Sequence, residues 1–402
     1  MSAVAAVDAG PAATAGGRAW RAGSLVLPLL LTAGVMAAYL VDALAVHPGT
    51  PALNCPVGGV DRLVHWDGGW YDYIALHGYA PRPGTFQPGA FFPLLPGLAD
   101  LGHLAVPFLS VEAAGIVVNL GAVAAAMCIV DRLVADWPPA HRAALVAVLL
   151  SVPGAMFYAT FYSEALFVLG VAVAMWALLT PGRLAAAPAG IAVASAARII
   201  GIALVVPLVL ALRRARDRVG AGPALALLAL AFAGVVGVEA FAAISTGDPG
   251  VIIRGRATWH GASGNGYLPY LAKHGADTVR LAWDFATFSP APGLSPEITA
   301  GTLPSALGVY LDVLLVPLVV AAWRASRDLG ILAAVMAAAT VAGGSPLSQM
   351  RYVAVIVPAW MGFVALARGR RAGWVAIALV VAGGVALNLH LMADFANCAW
   401  AG

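Results

Sequence analysis

Charge is scarce in this sequence. Only 10% of its 402 residues are Asp, Glu, Lys or Arg, and 61% are hydrophobic, whereas a water-soluble chain carries about 25% charge. That deficit excludes a surface that meets water on all sides. Cysteine is scarce as well. Cys55, Cys128 and Cys398 stand at no metal-binding spacing. His65, His77 and His103 form no compact ligand set with Asp67 or Asp72, so neither a metal nor a cofactor is expected. Basic clusters interleaved with aromatics are missing and the net charge is only +3, which gives nucleic-acid recognition no support. No internal repeat is visible.

What the chain does have is a succession of apolar runs of about 20 residues, each long enough to cross a hydrocarbon core. The runs are continuous in Ala, Leu and Val rather than alternating, which predicts helices and not barrel strands. The sequence reads as an all-α polytopic membrane protein with about eleven spans: 24–44, 111–133, 142–159, 162–180, 184–197, 199–212, 222–245, 303–323, 329–343, 351–367 and 372–392. Residues 1–23 read as a disordered cytoplasmic tail. The apolar run after Arg21 is long enough to stay in the membrane, so it is not read as a cleaved leader. Segment 90–108 is apolar but interrupted by Pro93, Pro96, Asp100, His103 and Pro107, and reads as a juxtamembrane or re-entrant element. With the N-terminus inside, fourteen of the 22 basic residues fall on the cytoplasmic side and eight outside, as the positive-inside rule favours. One membrane domain, 24–392, then carries two large outer loops, 45–110 and 246–302, and a short outer tail, 393–402.

The first outer loop holds the densest constellation, His65-Trp66-Asp67-Gly68-Gly69-Trp70-Tyr71-Asp72-Tyr73-Ile74-Ala75-Leu76-His77-Gly78-Tyr79. Aromatics at 66, 70, 71 and 73 suit a short helix lying at the interface. Such rings are also what sugars stack on. A plain interfacial belt with snorkelled acids remains the alternative.

The run Trp66-Asp67-x-x-Trp70-Tyr71, then Ile74-Ala75-x-x-Gly78-Tyr79, then Ala90-Phe91-Phe92-Pro93-x-x-Pro96 resembles the signature of the second GPI mannosyltransferase family and its bacterial relatives, within the glycosyltransferase C (GT-C) superfamily. Weaker echoes follow in the same order: Phe161-Tyr162-Ser163-Glu164-Ala165-Leu166-Phe167, Ala197-Arg198-Ile199-Ile200-Gly201, and Met350-Arg351-Tyr352 with Pro358. The chain departs from the pattern at Thr85-Phe86-Gln87, where eukaryotic members carry an acid, and at Ala197, where the family has Thr or Ser. Both departures bear on the acceptor.

The resemblance implies a GT-C-type bundle that takes a sugar, mannose, from a polyprenyl-phosphate donor and places it on a lipid-linked or cell-envelope acceptor outside the membrane. The chemistry of that transfer needs a base within hydrogen-bond reach of the acceptor hydroxyl and cations for the departing phosphate. Asp67 suits the base, partly desolvated by Trp66 and Trp70, with Asp72 as a second carboxylate. Arg198 and Arg351 suit the phosphate, since the planar guanidinium matches its oxygens and each falls where a span meets the outer face. The alternative for each is a snorkelled helix-end arginine. His65, Tyr71, Glu164 and Tyr352 complete the candidate binding set. His260, with Arg254, Arg256 and Trp259, belongs to a second loop that can cover the site. Cys55 and Cys398, both on the outer side, are candidates for a disulfide, and Cys128 for a buried hydrophobe. Two other classes stay open: a secondary transporter, which would want mid-span charges (Asp312 and Glu239 are the clear in-span acids) and inverted repeats, and an envelope assembly protein without chemistry.

Overall fold

A continuous apolar run has nowhere to place its backbone polar groups except within its own helix, and the chain is built accordingly. The computed structural model describes residues 25–45, 58–81, 84, 87–252, 254–255, 303–343 and 348–398, and among them there is no β-strand. The N-terminal tail, Cys55, His260 and most of the second loop lie outside the described residues.

The helices are α1 (Val26–Ala45), α2 (Asp67–His77), α3 (Leu94–Ala105), α4 (Val111–Leu133), α5 (Pro139–Ser151), α6 (Glu164–Leu179), α7 (Ala187–Ala197), α8 (Val205–Arg214), α9 (Arg216–Val219), α10 (Ala221–Ala231), α11 (Ala233–Thr246), α12 (Leu303–Ala325), α13 (Arg327–Gly343), α14 (Gln349–Ala354), α15 (Val357–Ala367) and α16 (Arg371–Ala396). Among the described residues α1, α4 and α16 are each long and apolar enough to cross a membrane, and α10 with α11 makes a fourth such unit bent by 45° at its break. Their outward faces are apolar too: Leu30, Val41, Val236, Val316 and Leu379 stand well exposed. A protein with apolar surfaces both in its core and on its outer helix faces is an integral membrane protein.

Several of the expected spans are broken rather than straight. The run 142–159 ends as α5 at Ser151, turns at Val152-Pro153-Gly154, and resumes as a 3-10 turn over 155–159. The boundary expected between 184–197 and 199–212 falls at Arg198, whose backbone is extended. Segment 90–108 forms the 12-residue α3, about 18 Å long and too short to span roughly 30 Å of hydrocarbon. It packs along α4.

α6 is the central helix, packed on α4 and α7, while α12, α13 and α15 form a second group and α16 closes against α1 and α5. The α6–α7 crossing is made of small residues. A methyl added at Gly170 would meet the Ala194 backbone, and one at Gly190 would meet that of Ala174, so the two helices approach as closely as backbone allows.

The break after α5 is held by one side chain from α16. Asn388 is fully buried. Its carbonyl oxygen accepts from the Gly154 and Met156 amides at 3.0 and 3.3 Å, and its amide donates to the Ser151, Val152 and Gly384 carbonyls at 2.9, 3.0 and 2.8 Å. The groups freed when the helix stops are thereby satisfied without water. Gly154 itself has φ +90°, and a side chain there would run into the backbone of Met350 and Arg351. The broken span is therefore the shelf on which α14 rests. Asn388→Leu should leave several buried backbone groups unpaired at roughly 1–3 kcal/mol each; the detergent-solubilised variant is expected to melt well below the parent, and an unchanged melting temperature would contradict this role for Asn388.

Candidate functional site

Four charged side chains far apart in sequence meet at one level of the bundle, and each sits at a helix end or break. Asp67 opens α2 and Glu164 opens α6, where the partial positive charge of a helix N-terminus favours a carboxylate. Arg198 stands in the gap after α7, and Arg351 lies in the six-residue α14. Arg351 pairs with Asp67, Arg198 pairs with Glu164, and the Arg351 Nε lies 3.8 Å from the same Glu164 carboxylate. Side-chain exposure is 14% for Asp67, 1% for Glu164, 11% for Arg198 and 4% for Arg351. Two carboxylates and two guanidinium groups balance, which is what makes burial of all four tolerable. Removing one partner of such a pair costs about 3–5 kcal/mol, because the other charge is left stranded.

Aromatic rings frame the cluster. The Arg198 guanidinium lies 4.3 Å above the Tyr352 ring, and Arg351 lies 5.3 Å from Tyr162 and 5.4 Å from Tyr352. Arg351 also donates to the Ser348 hydroxyl at 2.9 Å, and the neighbouring Gln349 amide donates to Asp312 of α12. The in-span acid Asp312 thus serves to fasten the helix that carries Arg351.

A cavity of about 70 Å³ opens onto this cluster, lined by Asp67, Tyr71, Arg198 and Tyr352 on its polar side and by Phe91, Phe92, Ile199 and Ile200 on its apolar side. The two halves of the first motif are physically joined beside it. Trp70 stacks on Phe91 with centroids 5.8 Å apart, Tyr71 meets the same ring edge-on at 5.5 Å, and the Tyr79 hydroxyl donates to the Phe91 carbonyl at 2.7 Å. The Tyr71 hydroxyl is 2.8 Å from that of Ser163, next to Glu164.

The structure therefore brings together Asp67, Tyr71, Glu164, Arg198, Arg351 and Tyr352. It places the other candidates elsewhere. Trp66 is 45% exposed, and Trp70 packs on Phe91 rather than opening into the cavity. His65 is buried against Phe395, 5.5 Å between rings, with the Cys398 sulfur 3.6 Å from its Nε2. Burial holds its imidazole below the usual range, against the opposing influence of the Ala396 carbonyl and Asp61. Asp72 lies on the far side of α2 beside Glu112 of α4. Burial, and then the Glu112 carboxylate and Asp61, push the Asp72 carboxyl up to about 6. Arg254 pairs with Asp248, and His260 lies outside the described residues. Among the described residues no group of three or more His, Cys, Asp or Glu side chains is placed to hold a metal ion.

Reasoning from sequence passed over Asn119, Asn388 and the role of Tyr162. Asn119, fully buried in α4, donates to the Thr160 and Tyr162 carbonyls, each at 2.8 Å. A lone amide in the middle of an apolar span was the available signal, since polar groups at that depth are retained only where they have partners.

The fold and site define an all-helical integral membrane protein with a charge-balanced cleft at helix breaks. No protein-family model matches the chain, and no curated protein matches it. Among solved structures it is similar to the archaeal oligosaccharyltransferase AglB from Archaeoglobus fulgidus, determined in complex with an inhibitory peptide and a dolichol-phosphate, at 13% identity and a TM-score of 0.42. The match covers 94% of this chain and 56% of that one, so the chain spans about half the length of the archaeal protein.

Two outcomes follow. The folded protein holds the Asp72 proton more tightly than the unfolded chain, whose carboxyl titrates near 3.8, so this group's contribution to stability falls as pH rises from about 4 to about 6. Asp72→Asn should then melt higher than the parent at pH 7.5 and equally at pH 4; equal melting at both would remove the argument. Cys398 is disulfide-bonded and Cys128 is free and buried, while Cys55 lies outside the described residues. Thiol labelling of the unfolded protein should give one labelled cysteine without reductant and three after reduction. Three labels without reductant would contradict a bridge.

Proposed function

We propose that the protein is a membrane glycosyltransferase of the GT-C type. It moves a hexose, mannose by the resemblance of its first-loop motif, from a polyprenyl-phosphate donor to a lipid-linked or cell-envelope acceptor, with inversion at the anomeric carbon. The observation that carries the proposal is the convergence of Asp67 and Arg198 on one cavity that is charged on one side and apolar on the other, with Arg351 paired to Asp67 behind its wall. A lipid-linked sugar phosphate has the same division. In this reading the acceptor hydroxyl gives its proton to Asp67 and attacks the anomeric carbon. The bond from that carbon to the phosphate oxygen breaks, and the phosphate leaves with the electron pair. No general acid is required, because a phosphate ester is an adequate leaving group; what the step needs is cationic donors aimed at the departing oxygens. Arg198 and Arg351 supply them as planar forks.

Glu164 fits this scheme as the shared counter-ion of both arginines. Fully buried and in contact with each, it keeps the two guanidinium groups side by side when no phosphate is present. By the bias of basic residues between loops, the N-terminus is cytoplasmic and the cavity opens to the outer face.

Membranes carrying the full chain, incubated with radiolabelled polyprenyl-phosphate mannose, should yield a labelled glycolipid. Asp67→Asn keeps the shape of the side chain and an oxygen for Arg351, whose charge still faces Glu164 at 3.8 Å, so the protein should express and fold at reduced stability, yet transfer should drop by roughly 10²–10⁴-fold. Arg198→Lys or Arg351→Lys should raise the donor KM, because an ammonium loses the bidentate geometry. Near-parental turnover in Asp67→Asn would sink this assignment of the base. Uptake of a solute by proteoliposomes, with no sugar transfer at all, would sink the transferase reading.

A further inference from the structure

The backbone that presents Asp67 is strained. Trp66, immediately before it, has φ +57° and ψ −116°, a conformation disfavoured for a bulky L-residue that persists only where the surroundings impose it. One side chain does so directly. The Tyr162 hydroxyl accepts the Asp67 amide proton at 3.1 Å and donates to the His65 carbonyl at 3.0 Å, bracketing Trp66 from both sides. Tyr162 is 1% exposed. Its ring is locked between Phe157, 4.7 Å away, and Phe395, 5.8 Å away, and its backbone is held by Asn119. One turn of the same contact surface is shared with the helix it supports: a methyl at Gly68 would already touch the Tyr162 ring at 3.4 Å. The face of that ring carries the Arg351 guanidinium at 5.3 Å.

We infer that Tyr162 is a positioning residue for the transfer reaction: its hydroxyl fixes the start of α2 so that the Asp67 carboxylate stands at a set distance from Arg351. The inference rests on the transferase reading above. The phenol acts through its oxygen on Asp67 and through its ring on Arg351, so the two functions separate in Tyr162→Phe, which keeps the ring and removes both hydrogen bonds. A displacement of the base by about 1 Å costs up to roughly 10²-fold in rate. The phosphate contacts are untouched, so the donor KM should not change.

The experiment uses the full chain in membranes, with radiolabelled polyprenyl-phosphate mannose as the probe and two measurements. In the first, Tyr162→Phe is expected to lower kcat by about ten- to a hundredfold at parental donor KM, and to add no further loss in an Asp67→Asn background, because a residue that acts through the base has nothing left to position. In the second, which does not depend on activity, hydrogen exchange of the segment 65–69 should quicken in Tyr162→Phe while the segment around Arg351 exchanges as in the parent. Parental kcat, a raised donor KM with parental kcat, an equal loss in both backgrounds, or unchanged exchange at 65–69 would each overturn the inference. Parental protein that transfers no label, together with quickened exchange at 65–69 in Tyr162→Phe, would overturn the transferase reading, and with it the catalytic part of this inference, while leaving the hydroxyl's hold on Trp66 and Asp67 established.

Discussion

Two carboxylates and two guanidinium groups buried side by side constrain the architecture around them. A charge taken out of water is tolerated only where an opposite charge and hydrogen bonds replace its hydration, so Asp67, Glu164, Arg198 and Arg351 must reach one level of the bundle together. The chain meets the requirement by ending or breaking a helix at each of them, and the carboxylates gain further from the N-termini they occupy.

Helix breaks inside an apolar bundle create their own demand, because the freed amides and carbonyls have no water to bond. Asn388 answers it at the Pro153-Gly154 turn, Asn119 at the segment 160–162, and Tyr162 at the strained residue before Asp67. The two sets of interactions are linked. Gly154 lies under Arg351, and Asn119 holds the backbone of the tyrosine that holds Asp67. Each distant amide is thus joined to the charge cluster by a chain of backbone contacts.

The cavity inherits its two-sided character from this arrangement. Its polar side is Asp67 and Arg198 of the charge cluster with Tyr71 and Tyr352, and its apolar side comes from the Phe91-Phe92 and Ile199-Ile200 pairs, each next to a chain break. A ligand with a charged head and an apolar body matches both sides at once, and this match underlies the proposed donor.

Composition by itself determined that the chain is helical and membrane-bound, because 61% hydrophobic residues in continuous runs leave no other way to satisfy the backbone. The motif from Trp66 to Pro96 contains Asp67, Tyr71, Phe91 and Phe92, which line the cavity, and the arginines at 198 and 351 were legible as basic residues at the ends of expected spans. The boundary at Arg198 was legible in the sequence, but hydropathy could not show the break at Pro153-Gly154, which lies in a segment as apolar on average as an unbroken span. Nor could it show which charges pair. Spacing along one helix separates Asp67 from Asp72 but says nothing of partners from α6, α7 and α14. Only the tertiary structure decided that Asp67 faces Arg351, that Asp72 turns to Glu112, and that Asn388 closes the break, because each depends on a contact between residues that sequence separation leaves unrelated.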